Sequence, residues 1–311
     1  MARELYLTFP AAKRVLDEAD AALPGLLRLM WDGPAEELQL TANQQPALVA
    51  AGAAAYAAYL EAGGQRASFG AGHSLGEYTA HVAAGSLGIA DAVRLVRRRG
   101  EYMQQAVPEG LGAMAAVLKL DDGRIAGVLR RFGPPGAPAA GPGDDEGQGG
   151  SGAVGLVEIA NLNAPGQTVI SGEARAVELA SEELKALGAR VIPLKVSAPF
   201  HCRLMAPAAA RLAADLRATS FAEPAFAIVC NVTAETLTTA AAAPELLTAQ
   251  VTAPVRWVEC VRRLVFLGAE RFLEFGSGEV LTGLVKRIVP DAPAQAVADP
   301  EGVEEAVRRA A

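Results

Sequence analysis

The chain has 311 residues, half of them hydrophobic and a fifth charged, the composition of a soluble globular protein with room for about two domains. A net charge of −7 argues against a nucleic-acid partner, since phosphate binding needs clustered cations and the only dense basic run is Arg97-Arg98-Arg99. Cys202, Cys230 and Cys260 are scattered and form no C-x-x-C, which disfavours a disulfide framework or a metal site.

The bland reading of these thiols is small buried hydrophobes in a reducing compartment. Met1 to Tyr6 lacks the apolar core of a signal peptide, and the longest apolar stretch, Ala47 to Leu60, is too short to span a bilayer. A cytoplasmic protein with no membrane contact is expected.

Apolar periodicity lays out the elements in chain order. Pro10 to Leu23 reads as a helix with Val15, Leu16 and Ala19 on one face. Gly33 to Leu38 reads as a turn and helix start, and Pro46 to Leu60 as a buried helix. Ala67 to Ala71 is a short apolar run, and Tyr78 to Gly85 an alanine-rich helix. Between them stands Gly72-His73-Ser74-Leu75-Gly76, which matches the G-x-S-x-G nucleophile elbow. There a serine sits on a strained strand-to-helix turn, and Gly72 and Gly76 would let strand and helix approach closely. The bland alternative is a chance glycine-rich turn. Ala90 to Ala106 follows as a long helix.

From Gly112 the texture changes. Ala113 to Leu120 reads as a strand, Gly123 to Arg131 as a helix, and Val154 to Ala160 and Gln167 to Ser171 as strands joined by a turn at Asn161 to Gly166. Ala174 to Leu187 is a helix and Val191 to Val196 a strand. This β-α-β-β-α-β order is ferredoxin-like. Gly133 to Gly152, rich in glycine, proline and acid, reads as a flexible surface loop. After Pro199 come a helix at Ala206 to Ala218, a strand at Ala227 to Asn231, a helix at Val255 to Leu267 and a strand at Phe272 to Phe275. The expected domains are 1–112 and 191–311, two parts of one α/β domain, around an insert at 113–190.

An activated serine needs a base, and the sequence holds His73, His81 and His201. His73 adjoins Ser74 on a sharp turn that sends neighbouring side chains apart. His81 lies in a buried helix, where a satisfied core histidine is the better reading. By elimination His201, expected just after a strand, is the base, with an ordinary pKa suited to neutral pH. No acid stands out as a third triad member. A thioester releases a thiol of pKa about 8.5, so a serine–histidine dyad is enough for thioester chemistry.

These residues resemble the malonyl-CoA:acyl carrier protein transacylase family. The resemblance is carried by Gly72 to Tyr78, by Thr41 with Gln45 to Leu48, and by Arg99-Gly100 with Met103. It continues through Asn161, Asn163, Pro165 and Gln167 with Val169 to Gly172, and through Pro199-Phe200-His201 with Leu204-Met205. Gln250, Pro254-Val255, Trp257, Phe275-Gly276, Gly278 and Val280-Leu281 complete it, in the family's order over nearly the whole chain. It implies an α/β-hydrolase-like large domain with a parallel sheet and an inserted ferredoxin-like small domain. It implies that Ser74 attacks the thioester, that His201 takes its proton, and that the backbone carbonyl of Gln250 holds the imidazole. Arg99 would pair with the free carboxylate of malonate through its planar fork, while Arg97 and Arg98 form a solvated face. Phe200 resembles the malonyl-selective form of the pocket, against a bland role in packing. Asn161 is read as a substrate contact or a hairpin-turn residue. The amide of Leu75 would supply one oxyanion donor. The implied reaction is malonyl transfer to an acyl carrier protein by a monomer. No metal or redox cofactor is implied, coenzyme A arriving within the substrate, and Lys286 and Arg287 are candidates for carrier-protein docking.

One departure stands out. The family usually opens with a strand and a Gly-Gln-Gly-x-Gln loop whose first glutamine amide is the second oxyanion donor. Met1 to Tyr6 already resembles the segment after that loop, and the loop occurs nowhere in the sequence. Met1 is therefore expected to be an internal methionine. A serine esterase, a truncated acyl-CoA-binding protein without turnover, and a loading enzyme of polyketide synthesis stay open as alternatives.

Overall fold

The computed structural model describes residues 1–133 and 155–309, so the expected loop at Gly133 to Gly152 lies outside the described residues from 134 on. The first elements are all helical: α1 (Arg3–Thr8), α2 (Pro10–Ala22), α3 (Leu26–Asp32), α4 (Ala35–Gln39) and α5 (Thr41–Glu61). Alanine and glycine make α5 the central helix. With no bulky side chains on most of its surface it is buried on every side, and at Gly52 an added Cβ would come within 2.7 Å of the Thr79 side chain and 3.1 Å of the Phe275 carbonyl. It starts earlier than the sequence suggested, so Pro46 lies inside it.

Then follow β1 (Phe69–Ala71), α6 (Gly76–Ala83) and α7 (Ile89–Ala106). On α7 the buried positions Ala92, Val93, Val96, Arg99, Gly100 and Met103 recur at helical spacing. Of the three consecutive arginines, the helical repeat turns only Arg99 inward. Arg97 and Arg98 face outward to Glu101 and Asp215, at 2.7 and 2.6 Å.

The next stretch holds β2 (Gly112–Leu118), α8 (Asp122–Leu129), β3 (Val157–Ala164), β4 (Gln167–Glu173), α9 (Ala174–Ala186) and β5 (Arg190–Pro193). Its strands form an antiparallel sheet in the order β3-β4-β2-β5, over a core that includes Val117, Ile125, Ile170, Val177 and Leu184. Three boundaries differ from expectation. The strand β3 runs through Asn161 to Ala164, leaving only Pro165-Gly166 as the turn, so Asn161 is not a turn residue. The cause is a partner distant in sequence: Val255 donates to the Ala160 carbonyl and accepts from Leu162 N–H, both at 2.9 Å, which satisfies backbone groups beyond the hairpin. The same pairing keeps Val255 out of the helix that follows. The last strand ends at Pro193 rather than Val196, because Val196 N–H turns back to the Leu194 carbonyl at 3.1 Å.

The chain closes with α10 (Ala206–Ala218), β6 (Ala227–Val229), α11 (Ala243–Gln250), α12 (Trp257–Phe266), β7 (Phe272–Phe275), α13 (Val280–Ile288), β8 (Ala294–Val297) and α14 (Pro300–Arg308). Among the described residues β1 pairs in parallel with β6, and β7 in parallel with β8. Phe69 to Gly72 and Arg271 to Phe275 line a cavity of about 620 Å³, with Tyr56 and Tyr59 of α5 also on its wall. The fold is α/β with parallel sheet elements. No helix among the described residues is long and apolar enough to cross a membrane.

Candidate active site

The elbow is built by one close contact. A Cβ on Gly72 would sit 1.9 Å from the Gly76 carbonyl carbon and 2.4 Å from Glu77 N, so only glycine lets β1 pass this near the start of α6. Gly76 itself is not crowded: a Cβ there meets nothing within 4 Å. Ser74 takes φ +51°, a left-handed conformation that costs a side-chain-bearing residue about 1–2 kcal/mol. Asn231, just beyond β6, holds the strained turn. Its Oδ1 accepts Ser74 N–H at 2.6 Å and its Nδ2 donates to the Gly72 carbonyl at 2.8 Å. The Leu75 N–H has no acceptor among the described residues and stands at the start of α6, where helix geometry favours an anion.

His201 does not follow a strand directly. It lies in the loop after Pro199 with φ +58° and is 4% exposed. Its Nε2 is 2.7 Å from Ser74 Oγ, and its Nδ1 is 2.9 Å from the Gln250 carbonyl. A carbonyl can only accept, so Nδ1 carries the proton and Nε2 is the free acceptor for the serine hydroxyl. Burial, reinforced by the nearby Arg99 charge, pushes the imidazole down to about 3, so the resting ring is neutral with Nε2 unprotonated.

Arg99 is 2% exposed and completes the cluster. Its Nη1 donates to Gln45 Oε1 at 2.8 Å, and its Nη2 donates to Ser74 Oγ at 2.9 Å and to Gln250 Oε1 at 3.1 Å. It lies 5.7 Å from the centre of the Tyr78 ring, and its buried Nε has no partner among the described residues. A buried guanidinium without a carboxylate bonded to it is costly to leave alone.

His73 turns away from Ser74, and His81 lies in the buried helix but is not fully satisfied, since its Nε2 has no partner among the described residues. His73 Nε2 is 2.8 Å from Asn163 Oδ1, on β3, and its ring centre lies 5.7 Å from that of Trp257. His81 is buried against Ser86 and Phe221, and burial pushes it down to about 4. Phe200 packs against the core around Met114, Ala160 and Val169. Asn161 is 7% exposed, on β3 beside Val255. Arg287 donates to the Pro165 carbonyl at 3.2 Å, so it already braces the β3–β4 turn. Among the described residues no group of three or more His, Cys, Asp or Glu side chains could hold a metal ion.

Four contributors carried no role in the sequence reading: Asn231, Glu77 and the side chains of Gln45 and Gln250. Asn231 ends an apolar run, at the carboxyl end of a strand, where functional side chains gather in α/β folds. Glu77 and Gln45 are buried polar residues on helices that pack into the core, a signal in itself.

A histidine-bonded serine on a strained turn, set beside a buried arginine with no carboxylate bonded to it, suits an acyltransferase. The acyl transferase domain family matches residues 1–128. The malonyl CoA-acyl carrier protein transacylase of Bacillus subtilis strain 168 is 45% identical over 310 residues, covering 99% of this chain and 92% of that protein. The crystal structure of an acyl-carrier-protein S-malonyltransferase from Burkholderia pseudomallei aligns with TM-score 0.88 at 41% identity, over 97% of this chain and 93% of its own. A malonyl-transacylase solved in complex with a type II polyketide acyl-carrier protein aligns with TM-score 0.89 at 41% identity, over 99% and 94%. The chain belongs to the malonyl CoA-acyl carrier protein transacylase family.

Proposed function

We propose that the protein moves a malonyl group from malonyl-CoA to the phosphopantetheine thiol of an acyl carrier protein, through a malonyl ester on Ser74. Ser74 Oγ attacks the thioester carbonyl carbon as its proton passes to His201 Nε2. The oxyanion accepts the Leu75 N–H, the C–S bond breaks, and the coenzyme A sulfur leaves with the proton from His201. The carrier-protein thiol then runs the steps in reverse. The Gln250 carbonyl orients the imidazole throughout. Arg99 turns the Nη2 donor it gives Ser74 to the malonyl carboxylate and keeps its bonds to Gln45 and Gln250.

One observation carries this reading over esterase chemistry. Arg99, buried and without a bonded carboxylate among the described residues, lies 2.9 Å from the same Ser74 Oγ that His201 contacts at 2.7 Å. Hydrolysis of a simple ester needs no cation there. The test is intact-mass analysis after incubation with malonyl-CoA. Wild type should gain one malonyl group and Ser74→Ala none; a label that persists in the mutant refutes the assignment.

The architecture is read in the same terms. The sheet order β5-β2-β4-β3 and the β-α-β-β-α-β run support a ferredoxin-like insert, which we end after Pro193, where β5 leaves its pairing with β2, rather than at the expected 190. The insert splits a hydrolase-like domain that carries the elbow. Asn161 and Phe200 are assigned to the acyl pocket, Phe200 crowding an α-methyl group, and Lys286 and Arg287 to the carrier-protein side. The three buried, unpaired cysteines suit a reducing cytoplasm.

A further inference from the structure

Behind the elbow lies a carboxyl group that the reaction above does not use. Glu77 is 1% exposed, in the first turn of α6. Its Oε2 accepts Asn231 N–H at 3.0 Å and Gln250 Nε2 at 2.7 Å. The same Nε2 donates to the Ser74 carbonyl at 3.0 Å. Both groups on this side of the Gln250 amide are acceptors, so its nitrogen must lie here. Its oxygen then faces the other way, where it accepts Arg99 Nη2 at 3.1 Å.

Building on the malonyl-transfer reading, we propose that Glu77 is a positioning residue that fixes the amide orientation of Gln250, and through it the place of Arg99 and the preference for carboxylate-bearing acyl donors. Without an acceptor at position 77 the amide keeps one reason fewer to hold its nitrogen inward. Rotated by half a turn, it sets a donor against the guanidinium, and Arg99 loses a bond that holds it over Ser74. The role needs an oxygen acceptor rather than a charge. Burial pushes the Glu77 carboxyl up to about 7, against the pull of Asn231, Gln250, Cys230 and Arg99, so a neutral acceptor also suits the site. The amide oxygen of a glutamine at position 77 can accept from both donors.

The experiment measures kcat and KM with malonyl-CoA and with acetyl-CoA for wild type, Glu77→Gln, Glu77→Leu and Gln250→Met, the last of which keeps the backbone carbonyl to His201. Glu77→Gln should hold the wild-type ratio of malonyl to acetyl kcat/KM. Glu77→Leu should lower that ratio about 10-fold, the loss expected when a buried polar group is left unpaired, chiefly through KM for malonyl-CoA. Gln250→Met should lower it similarly, and the double variant should be no worse than the poorer single, since both act on one contact. A folded Glu77→Leu with the wild-type ratio, or with equal losses for both donors, overturns the proposal. Should Glu77→Leu fail to fold, an unchanged ratio in Gln250→Met, or a ratio lost in Glu77→Gln, overturns it instead. A wild type that transfers no malonyl group refutes the functional reading, whereas an active wild type with indifferent variants refutes only this inference.

Discussion

On the malonyl-transfer reading, Arg99 is the residue assigned selectivity for a carboxylate-bearing donor. Its neighbours in the run, Arg97 and Arg98, reach acids on the surface, where such pairs add little. Arg99 is turned inward by the helical repeat and meets only neutral acceptors directly, which leaves its charge for a ligand. Arg99→Ala removes a charge-assisted pair worth about 1.5–3 kcal/mol, roughly a 10- to 150-fold loss in kcat/KM for malonyl-CoA. Acetyl-CoA has no carboxylate and should be affected much less. Steady-state kinetics with the two donors separates the cases, and equal losses would make Arg99 structural. The proposed role of Arg99 was reached from the sequence by residue type and resemblance. That Gln45 and Gln250 hold the guanidinium was not, because those contacts join α5, α7 and α11, which no local pattern links.

At the scale of the element, the elbow depends on how closely β1 and α6 approach, and its two glycines are unequal. At Gly72 the atoms that a Cβ would strike belong to backbone and cannot rotate aside; at Gly76 the space is open. Gly72→Ala must therefore push α6 away and shift Ser74 from His201. A misplacement of about 1 Å costs on the order of 10²-fold in rate. Gly76→Ala should fold with nearly the wild-type melting temperature. Thermal melts and the rate of malonyl-ester formation, read by mass, would show the contrast; matched behaviour of the two variants would contradict the geometry. The elbow was legible because its pattern is contiguous. The end of β3 was not: a turn at Asn161 is reasonable from local composition, and only the ladder from Val255 carries the strand onward. His201 illustrates the same limit, since the strand expected ahead of it ends at Pro193 and a loop delivers the base.

For the molecule as a whole, buried ionisable groups set how stability follows pH. Burial lowers the pKa of His73, of His81 to about 4 and of His201 to about 3. Unfolding restores the ordinary histidine value of about 6.5, so below it the unfolded chain binds more protons and stability falls with acid. Glu77 has the opposite sign. Its folded value of about 7 lies above the unfolded 4.5, so the folded state takes up its proton first and gains stability as pH falls through that window. Melting temperature should therefore drop between pH 7 and 5, and Glu77→Gln, which removes the opposing group, should make the drop steeper; an unchanged slope would mean Glu77 is not held up by burial. The same scale governs the sheet. The order of the β2–β5 sheet was legible because the β-α-β-β-α-β run is a recurrent motif, whereas β1 pairs with a strand far along the chain and the four-residue β8 has too little pattern to be read from sequence. The β1–β6 and β7–β8 pairs leave β1 and β7 facing the cavity of about 620 Å³, and each has backbone groups on that side to offer a parallel strand. On the family resemblance, a strand and a Gly-Gln-Gly-x-Gln loop added ahead of Met1 would pair with those groups, the loop bringing a second amide to the oxyanion beside Leu75. A chain extended ahead of Met1 by an apolar strand and a Gly-Gln-Gly-x-Gln loop should melt higher than the 311-residue chain, as ladder groups and apolar surface leave water. Its kcat should rise by about 10²–10³, the usual effect of one oxyanion donor. Replacing the first glutamine of that loop by proline, which has no N–H, should abolish the rate gain and keep the gain in melting temperature. Equal kcat and melting temperature for the two lengths would show that the cavity takes no strand.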